Sequence, residues 1–219
     1  MIKERKHAIV LGGSRGVGSA IAAGLQDAGL AVVATSKKDL DTSDPESVLA
    51  FAKKNATTDV LVLNTGGPPK KEFGDITLDD WGKYHRQLFV GFALLLQHVS
   101  VRDGGYIFLI SSHHIKEPND DMILSHAYRL ASWSMLKGLS KRFAERSVSC
   151  INLPLGPVLT DRLRNLVPDV PALESSLPLR RAGDPQEISA FVRSIVENDI
   201  KYLNGVSINF DGGLSHGIF

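Results

Sequence analysis

Short apolar runs alternate with longer stretches of helical periodicity along the chain. Ile9-Val10-Leu11 breaks into Gly12-Gly13-Ser14-Arg15-Gly16-Val17-Gly18 and continues into the helical pattern Ser19–Ala28. Leu30–Thr35, preceded by Gly29, is β-branched and apolar and predicts a second buried strand. A few residues later comes Asp39-Leu40-Asp41-Thr42, and then Asp44-Pro45-Glu46 opens a helix through Asn55 with proline in its first turn. That spacing leaves no room for a full crossover helix between the second strand and a third, so the helix is absent or reduced to a turn. Asp59–Leu63 is a fourth strand-like run, ending in Asn64-Thr65-Gly66-Gly67-Pro68-Pro69.

A long helical stretch follows from about Leu78 to Val101, then a break at Gly104-Gly105 and a strand Tyr106–Ile110 closed by Ser111-Ser112-His113-His114. A second long helical pattern from about Met122 to Arg146 leads into the strand Val148–Leu153. From Arg162 to Gly183 the chain contains prolines and reads as irregular, yet Leu163, Leu166, Val167, Val170, Leu173 and Leu177 keep an apolar rhythm. This segment, 161–183, is expected to be a loop or mobile lid over a substrate pocket. A helix from Asp184-Pro185 to Asn198 and a strand Val206–Phe210, ended by Asp211-Gly212-Gly213, complete the pattern. Strands alternating with helices predict an α/β fold with one parallel sheet covered by helices on both faces. Ligands of such sheets bind at the carboxyl ends of the strands, where the glycine turn, Asn64 and Ser112 all fall.

Composition narrows the partners. A chain of 219 residues with 43% hydrophobic positions suits a single domain over 1–219. A net charge of +1 offers no basic excess for nucleic acid, and no window is long and apolar enough for a membrane span. Cys150 is the only cysteine, which excludes a disulfide framework and a multi-thiolate metal site; within its apolar run it reads as a buried small hydrophobe. The charged start Met1–Lys6, with no long apolar stretch behind it, leads to the expectation of a cytoplasmic protein.

The glycine run between a strand and a helix has the order that grips a pyrophosphate: glycines let the backbone approach, and the helix presents unpaired N–H groups and its positive dipole end. At the tip of the second strand an acidic residue suits a free ribose 2′-hydroxyl and basic residues suit a 2′-phosphate. Here the tip is Ser36-Lys37-Lys38, with Arg15 in the glycine turn, which favours NADP over NAD.

The chain resembles the short-chain dehydrogenase/reductase family over essentially its whole length. The resemblance is carried by Gly12-x-x-x-Gly16-x-Gly18, the strand end Asp59–Gly66, Ile110-Ser111-Ser112, and the segment from Gly156 to Thr160-Asp161. It extends through Pro178-Leu-Arg-Arg-Ala-Gly-Asp-Pro-Gln-Glu187-Ile and Asn204-Gly205 to Asp211-Gly212-Gly213. It implies a Rossmann-type, doubly wound parallel sheet, usually in homodimers or homotetramers, acting on a small carbonyl or alcohol substrate. By that resemblance Gly12, Ser14, Arg15, Gly16, Val17 and Gly18 hold the pyrophosphate side and 2′-phosphate of NADP(H). Ser36 and Lys37 flank that phosphate, Asp41 and Thr42 the adenine, and Asn64 and Gly66 the ribose region. Gly156 and Thr160 lie near the nicotinamide amide.

The catalytic set departs from the family. Members transfer a hydride with a serine on the substrate oxygen, a tyrosine exchanging its proton, a lysine lowering the tyrosine pKa and holding the ribose, and a relay asparagine. Ser112 matches the serine, but Ser125 stands at the tyrosine position, Arg129 at the lysine and Leu88 at the asparagine. An alkanol is a far weaker acid than a phenol. Arg129 keeps the charge and can fork onto ribose hydroxyls or a substrate carboxylate, but does not titrate. Tyr128, displaced by about 60° around the helix, and His113 or water are the remaining proton donors; His114 and His126 lie nearby, and no metal site is expected. Two functions follow: an NADP(H)-dependent oxidoreductase of divergent mechanism, or a catalytically inactive cofactor sensor or structural subunit, including a hetero-oligomer with an active paralogue.

Overall fold

In the computed structural model, which describes residues 6–218, six strands form one parallel sheet. They are β1 (His7–Val10), β2 (Ala31–Ala34), β3 (Thr57–Leu63), β4 (Ser100–Ser112), β5 (Ser149–Leu155) and β6 (Val206–Ser207), in the order β2-β1-β3-β4-β5-β6. Of the charged start, Met1–Arg5 lies outside the described residues. The strand centres read as continuous apolar runs because the sheet is buried on both faces. Ala8, Val10, Val60, Val62 and Phe108 face one layer, with Ile21 and Leu25 of α1 (Gly16–Asp27) and Ile188 and Val192 of α8 (Pro185–Glu197). Ile9, Leu11, Leu61, Leu63 and Leu109 face the other layer. They meet Phe51 of α2 (Pro45–Lys54), Phe92 of α4 (Gly91–His98) and Leu136 of α5 (Ile123–Ala144). The first layer packs closely: a methyl carbon on Gly24 would lie 2.3 Å from Ser189 Oγ, whose hydroxyl donates to Ala20 O at 2.6 Å.

The third strand expected near Asp39–Thr42 does not form, and β2 is the edge of the sheet. The Ser36 N–H and hydroxyl both donate to Asp39 Oδ2, at 2.8 and 2.7 Å, closing a turn directly after β2. Asp44 then accepts the Glu46 N–H at 3.0 Å as the cap of α2, so the chain turns from strand to helix within ten residues.

Other differences are local. The stretch read as one helix from Leu78 is α3 (Leu78–His85) and α4, joined through a π-helical turn at Arg86–Val90. Ser132 of α5 reaches into that turn and donates its hydroxyl to Leu88 O at 2.5 Å, an insertion that relieves the loosened ladder. β4 starts at Ser100, and the Gly104-Gly105 break lies inside it: the pairing register with β3 shifts between Thr58 and Val60, and Gly104 takes a φ of 71°. The segment 161–183 holds two short helices, α6 (Asp161–Leu166) and α7 (Val170–Ser176), with Thr160 accepting the Leu163 N–H and Asp169 the Ala172 N–H. The last strand shortens to Val206–Ser207, with a single further bridge between Leu155 and Phe210. Among the described residues no helix is long and apolar enough to cross a membrane.

Candidate functional site

The chain leaves β1 toward β2 on one side and returns through β3 on the other, so a crevice opens at the carboxyl ends of β1 and β3, the usual ligand position in such sheets. The glycine turn fills its floor. Gly12 and Gly16 take φ of 58° and 56°, a region that glycine enters without strain. A methyl carbon on Gly18 would lie 2.1 Å from Gly12 O, so only glycine permits the start of α1 to press on the turn. Asn64, at the end of β3, donates its side-chain amide to Leu11 O at 3.1 Å and to Gly12 O at 3.4 Å, which pins the turn to the neighbouring strand.

The start of α1 differs from those of α2 and α6. Its N-cap residue Arg15 makes no side-chain cap bond and its first turn holds no acid, whereas Asp44 and Thr160 cap α2 and α6. The first N–H groups of α1 are therefore left for an anion. Ser14 and Arg15 are exposed and Val17 packs on the core; across the crevice, Thr160 Cγ2 lies 3.4 Å from where a methyl carbon on Gly16 would sit.

On the β2 side Lys37 is exposed and pairs with Asp41 at 3.3 Å, a contact open enough to water to be worth little. Partial burial works to raise the Asp41 carboxyl, but the Ser43 hydroxyl and N–H and then Lys37 outweigh it and hold it below the usual carboxylate range. Ser36 is committed to its turn with Asp39, while Thr42 is buried against Thr65, with their hydroxyls 3.3 Å apart. Gly66 gives its carbonyl to Gln87 Nε2 at 2.7 Å, and Gly156 abuts Asp211, whose Cα would lie 2.8 Å from an added methyl carbon.

Ser112 ends β4. Its Oγ accepts the His114 N–H at 3.4 Å, which leaves its own hydroxyl proton to donate. His113 bonds through Nδ1 to Leu155 O at 3.2 Å; a carbonyl only accepts, so this nitrogen carries the proton and Nε2 of the neutral ring carries the lone pair. Its ring lies 3.9 Å, centroid to centroid, from that of His114. Burial, and after it the neighbouring His113, pull the His114 pKa down. His126 Nε2 donates to Asn119 O at 3.0 Å.

The α5 residues take forms that spacing alone does not reveal. Arg129 is buried; its Nε donates to Ser125 Oγ at 3.3 Å, its Nη1 to Ile110 O at 2.9 Å and its Nη2 to Thr65 O at 3.2 Å, tying α5 to the ends of β3 and β4. Burial, and then Arg162, bring its pKa down to about 10. Tyr128 turns away: its hydroxyl donates to Trp81 O at 3.2 Å, its ring packs edge-on to Trp81 at 5.9 Å, and burial raises its pKa. Leu88 offers no relay group, and its carbonyl is taken by Ser132. Arg162 of α6, not assigned a direction by the sequence, reaches inward and donates to Gly67 O at 3.1 Å and Pro68 O at 3.0 Å. Burial pushes the Cys150 thiol up to about 12, in keeping with a packing role. Among the described residues no group of His, Cys, Asp and Glu is arranged to hold a metal ion.

Residues 39–215 match the family model described as enoyl-(acyl carrier protein) reductase. The cyclic-di-GMP-binding biofilm dispersal mediator protein of Escherichia coli (strain K12) is 27% identical over 236 residues, spanning 94% of this chain and 96% of that one. The uncharacterized oxidoreductase YohF of the same organism is 30% identical over 179 residues, spanning 77% of this chain and 70% of its own. Among solved structures, a blue fluorescent protein from a metagenomic library, in complex with NADPH, superposes with a TM-score of 0.88 at 25% identity, covering 96% of this chain and 98% of that one.

Proposed function

The chain belongs to the short-chain dehydrogenase/reductase family, and from that premise we propose that it is an NADP(H)-dependent oxidoreductase acting on a carbonyl or alcohol substrate without the family's tyrosine and lysine. The observation that carries this reading is the uncapped start of α1 behind the Gly12–Gly18 turn, at the same edge of the sheet as Ser112. The residues fit a dinucleotide: the α1 N–H groups and glycine turn suit its pyrophosphate, exposed Arg15 and Lys37 its 2′-phosphate, and Gly156 and Thr160 border the far side. The structure of the blue fluorescent protein in complex with NADPH supports the same cofactor here. Bound NADP(H) supplies or accepts the hydride.

Ser112 donates its hydroxyl proton in a hydrogen bond to the substrate oxygen. We assign the exchanged proton to His113, whose Nδ1–H is held by Leu155 O so that Nε2 is left to exchange it. Tyr128 takes no part, since its hydroxyl is engaged by Trp81 O. The segment 161–183 shapes the substrate side. Titration with NADPH and NADH, followed by nicotinamide fluorescence and melting temperature, tests the cofactor; a carbonyl panel assayed with wild type, Ser112→Ala and His113→Gln tests the chemistry. Loss of turnover in both variants with NADPH affinity kept is the expected result, and no NADPH binding removes the reading.

A second reading rests on the closed relay. With Leu88 in place of a polar side chain and its carbonyl taken by Ser132, the chain would bind NADP(H) as a sensor or as a subunit beside an active partner. Tight NADPH binding without turnover of any carbonyl compound would favour it.

A further inference from the structure

Arg129 and Arg162 come from different elements, α5 and α6, yet converge on one loop. A methyl carbon on Gly67 would lie 2.7 Å from Arg162 Nη2 and 3.3 Å from Arg129 Nη2, so both guanidinium edges border the same point. A side chain at position 67 would push the Arg162 tip aside. Neither arginine forms an ion pair with a carboxylate among the described residues; the partners are the carbonyls of Ile110, Thr65, Gly67 and Pro68 and the hydroxyl of Ser125. These neutral acceptors satisfy some donors and cancel no charge. A guanidinium carries five N–H groups, and these bonds use three on Arg129 and two on Arg162. Two like charges, one buried at Arg129 and one exposed at Arg162, with donors to spare, are arranged for an anion that approaches from the crevice.

We propose that Arg129 and Arg162 form a paired-guanidinium subsite for an oxyanion carried by the substrate, so that the substrate is an anionic carbonyl compound or the corresponding hydroxy acid. The assignment of the anion to a substrate rests on the oxidoreductase reading above; the anion site itself rests on the two arginines. Arg129 forms the fixed, buried half, held on the strand ends, and Arg162 the accessible half, carried by the segment beyond Thr160. Position 129 then sets substrate charge where the family's lysine serves the tyrosine.

The test uses the full chain and oxalate as probe, with inorganic phosphate in parallel, by calorimetry and melting temperature with and without NADPH. Saturable binding of oxalate is expected, weakened at least about tenfold in Arg162→Gln and less in Arg162→Lys, which keeps a charge without the fork. Phosphate bound in preference to oxalate, and weakened in Arg162→Gln, keeps the subsite and assigns it a phosphate-bearing substrate; phosphate binding equal to wild type in that variant belongs to the start of α1 and overturns the proposal. Absence of saturable binding of either anion overturns the proposal, as does oxalate binding by Arg162→Gln equal to wild type. Should Arg162→Gln fail to fold, equal binding by Arg162→Lys overturns it. Benzoylformate and its methyl ester, offered with NADPH, share a ketone and differ in charge. Preference for the acid, lost in Arg162→Gln through KM, is expected, and preference for the ester overturns the substrate assignment. NADPH binding is read on the same samples: oxalate bound without NADPH removes the cofactor reading and leaves the subsite, and the reverse pattern does the opposite.

Discussion

Arg129 Nε donates to Ser125 Oγ across 3.3 Å, one turn apart on α5, so the two residues at the family's lysine and tyrosine positions are bonded to each other. Both are buried, and the bond occupies a lone pair of the hydroxyl with a permanent cation rather than with a group that moves protons. The pair holds α5 on the sheet and leaves the acid–base work to other residues.

Restoring the family's groups tests that division. The double change Ser125→Tyr and Arg129→Lys is expected to raise NADPH-dependent reductase activity by about 10²-fold or more, the usual contribution of a placed general acid. Activity on a carbonyl panel, before and after the change, is the measurement; no gain counts against a competent pocket. Arg129→Ala alone is expected to cost about 2–4 kcal/mol in a urea titration, because it leaves the Ile110 and Thr65 carbonyls without their donor.

Cofactor preference depends on two exposed cations. Arg15→Ala and Lys37→Ala together are expected to weaken NADPH binding about tenfold or more and to leave NADH binding nearly unchanged, since each removes a charged partner of the 2′-phosphate only. Fluorescence titration of the two nucleotides reads the ratio. Equal losses for both would show that the cations act on the shared pyrophosphate.

Gly18→Ala places a methyl carbon 2.1 Å from Gly12 O. The start of α1 must then lift from the turn, at a cost of about 1–3 kcal/mol, and the N–H groups that grip a phosphate move with it. A lower melting temperature together with loss of NADPH binding is the expected outcome; unchanged affinity would remove the turn from the cofactor site.

The His114 side chain carries the pH dependence nearest to Ser112. Burial, with His113 next, lowers its pKa, so the folded state favours the neutral ring. Its contribution to stability is complete above the free histidine value of about 6.5 and is lost as pH falls through the depressed folded value. Urea midpoints from pH 8 to pH 5 are expected to fall more steeply for wild type than for His114→Gln. Parallel curves would contradict this.

The parallel sheet was legible because strands buried on both faces read as unbroken apolar runs, as at Ile9–Leu11 and Val148–Leu153. The glycine turn was legible because it is local: its backbone needs are written in Gly12, Gly16 and Gly18, within one short run. What escaped depends on distant partners. The turn after β2 is closed by Asp39 on Ser36, so Asp39, expected to open a third strand, is spent on ending the second. α6 and α7 are six and seven residues long and held by single caps, so the apolar rhythm of the segment does not resolve into two helices. The inward course of Arg162 is set by carbonyls of Gly67 and Pro68, some 95 residues away in the chain. No spacing rule links them. Tyr128 sits one residue from Arg129, and the packing of Trp81 and His85 decides that its hydroxyl points elsewhere.

The π turn at Arg86–Val90 amounts to one surplus residue spliced into a helix. The wider turn absorbs that residue: wound as regular α-helix, the same residues would rotate every side chain of α3 by about 100° relative to α4. Trp81 and Tyr84 would leave the cluster they form with Leu88, Leu124 and Tyr128. The widened turn, with Ser132 on the Leu88 carbonyl, thus decides which side of α3 supports α5 beneath Ser125 and Arg129.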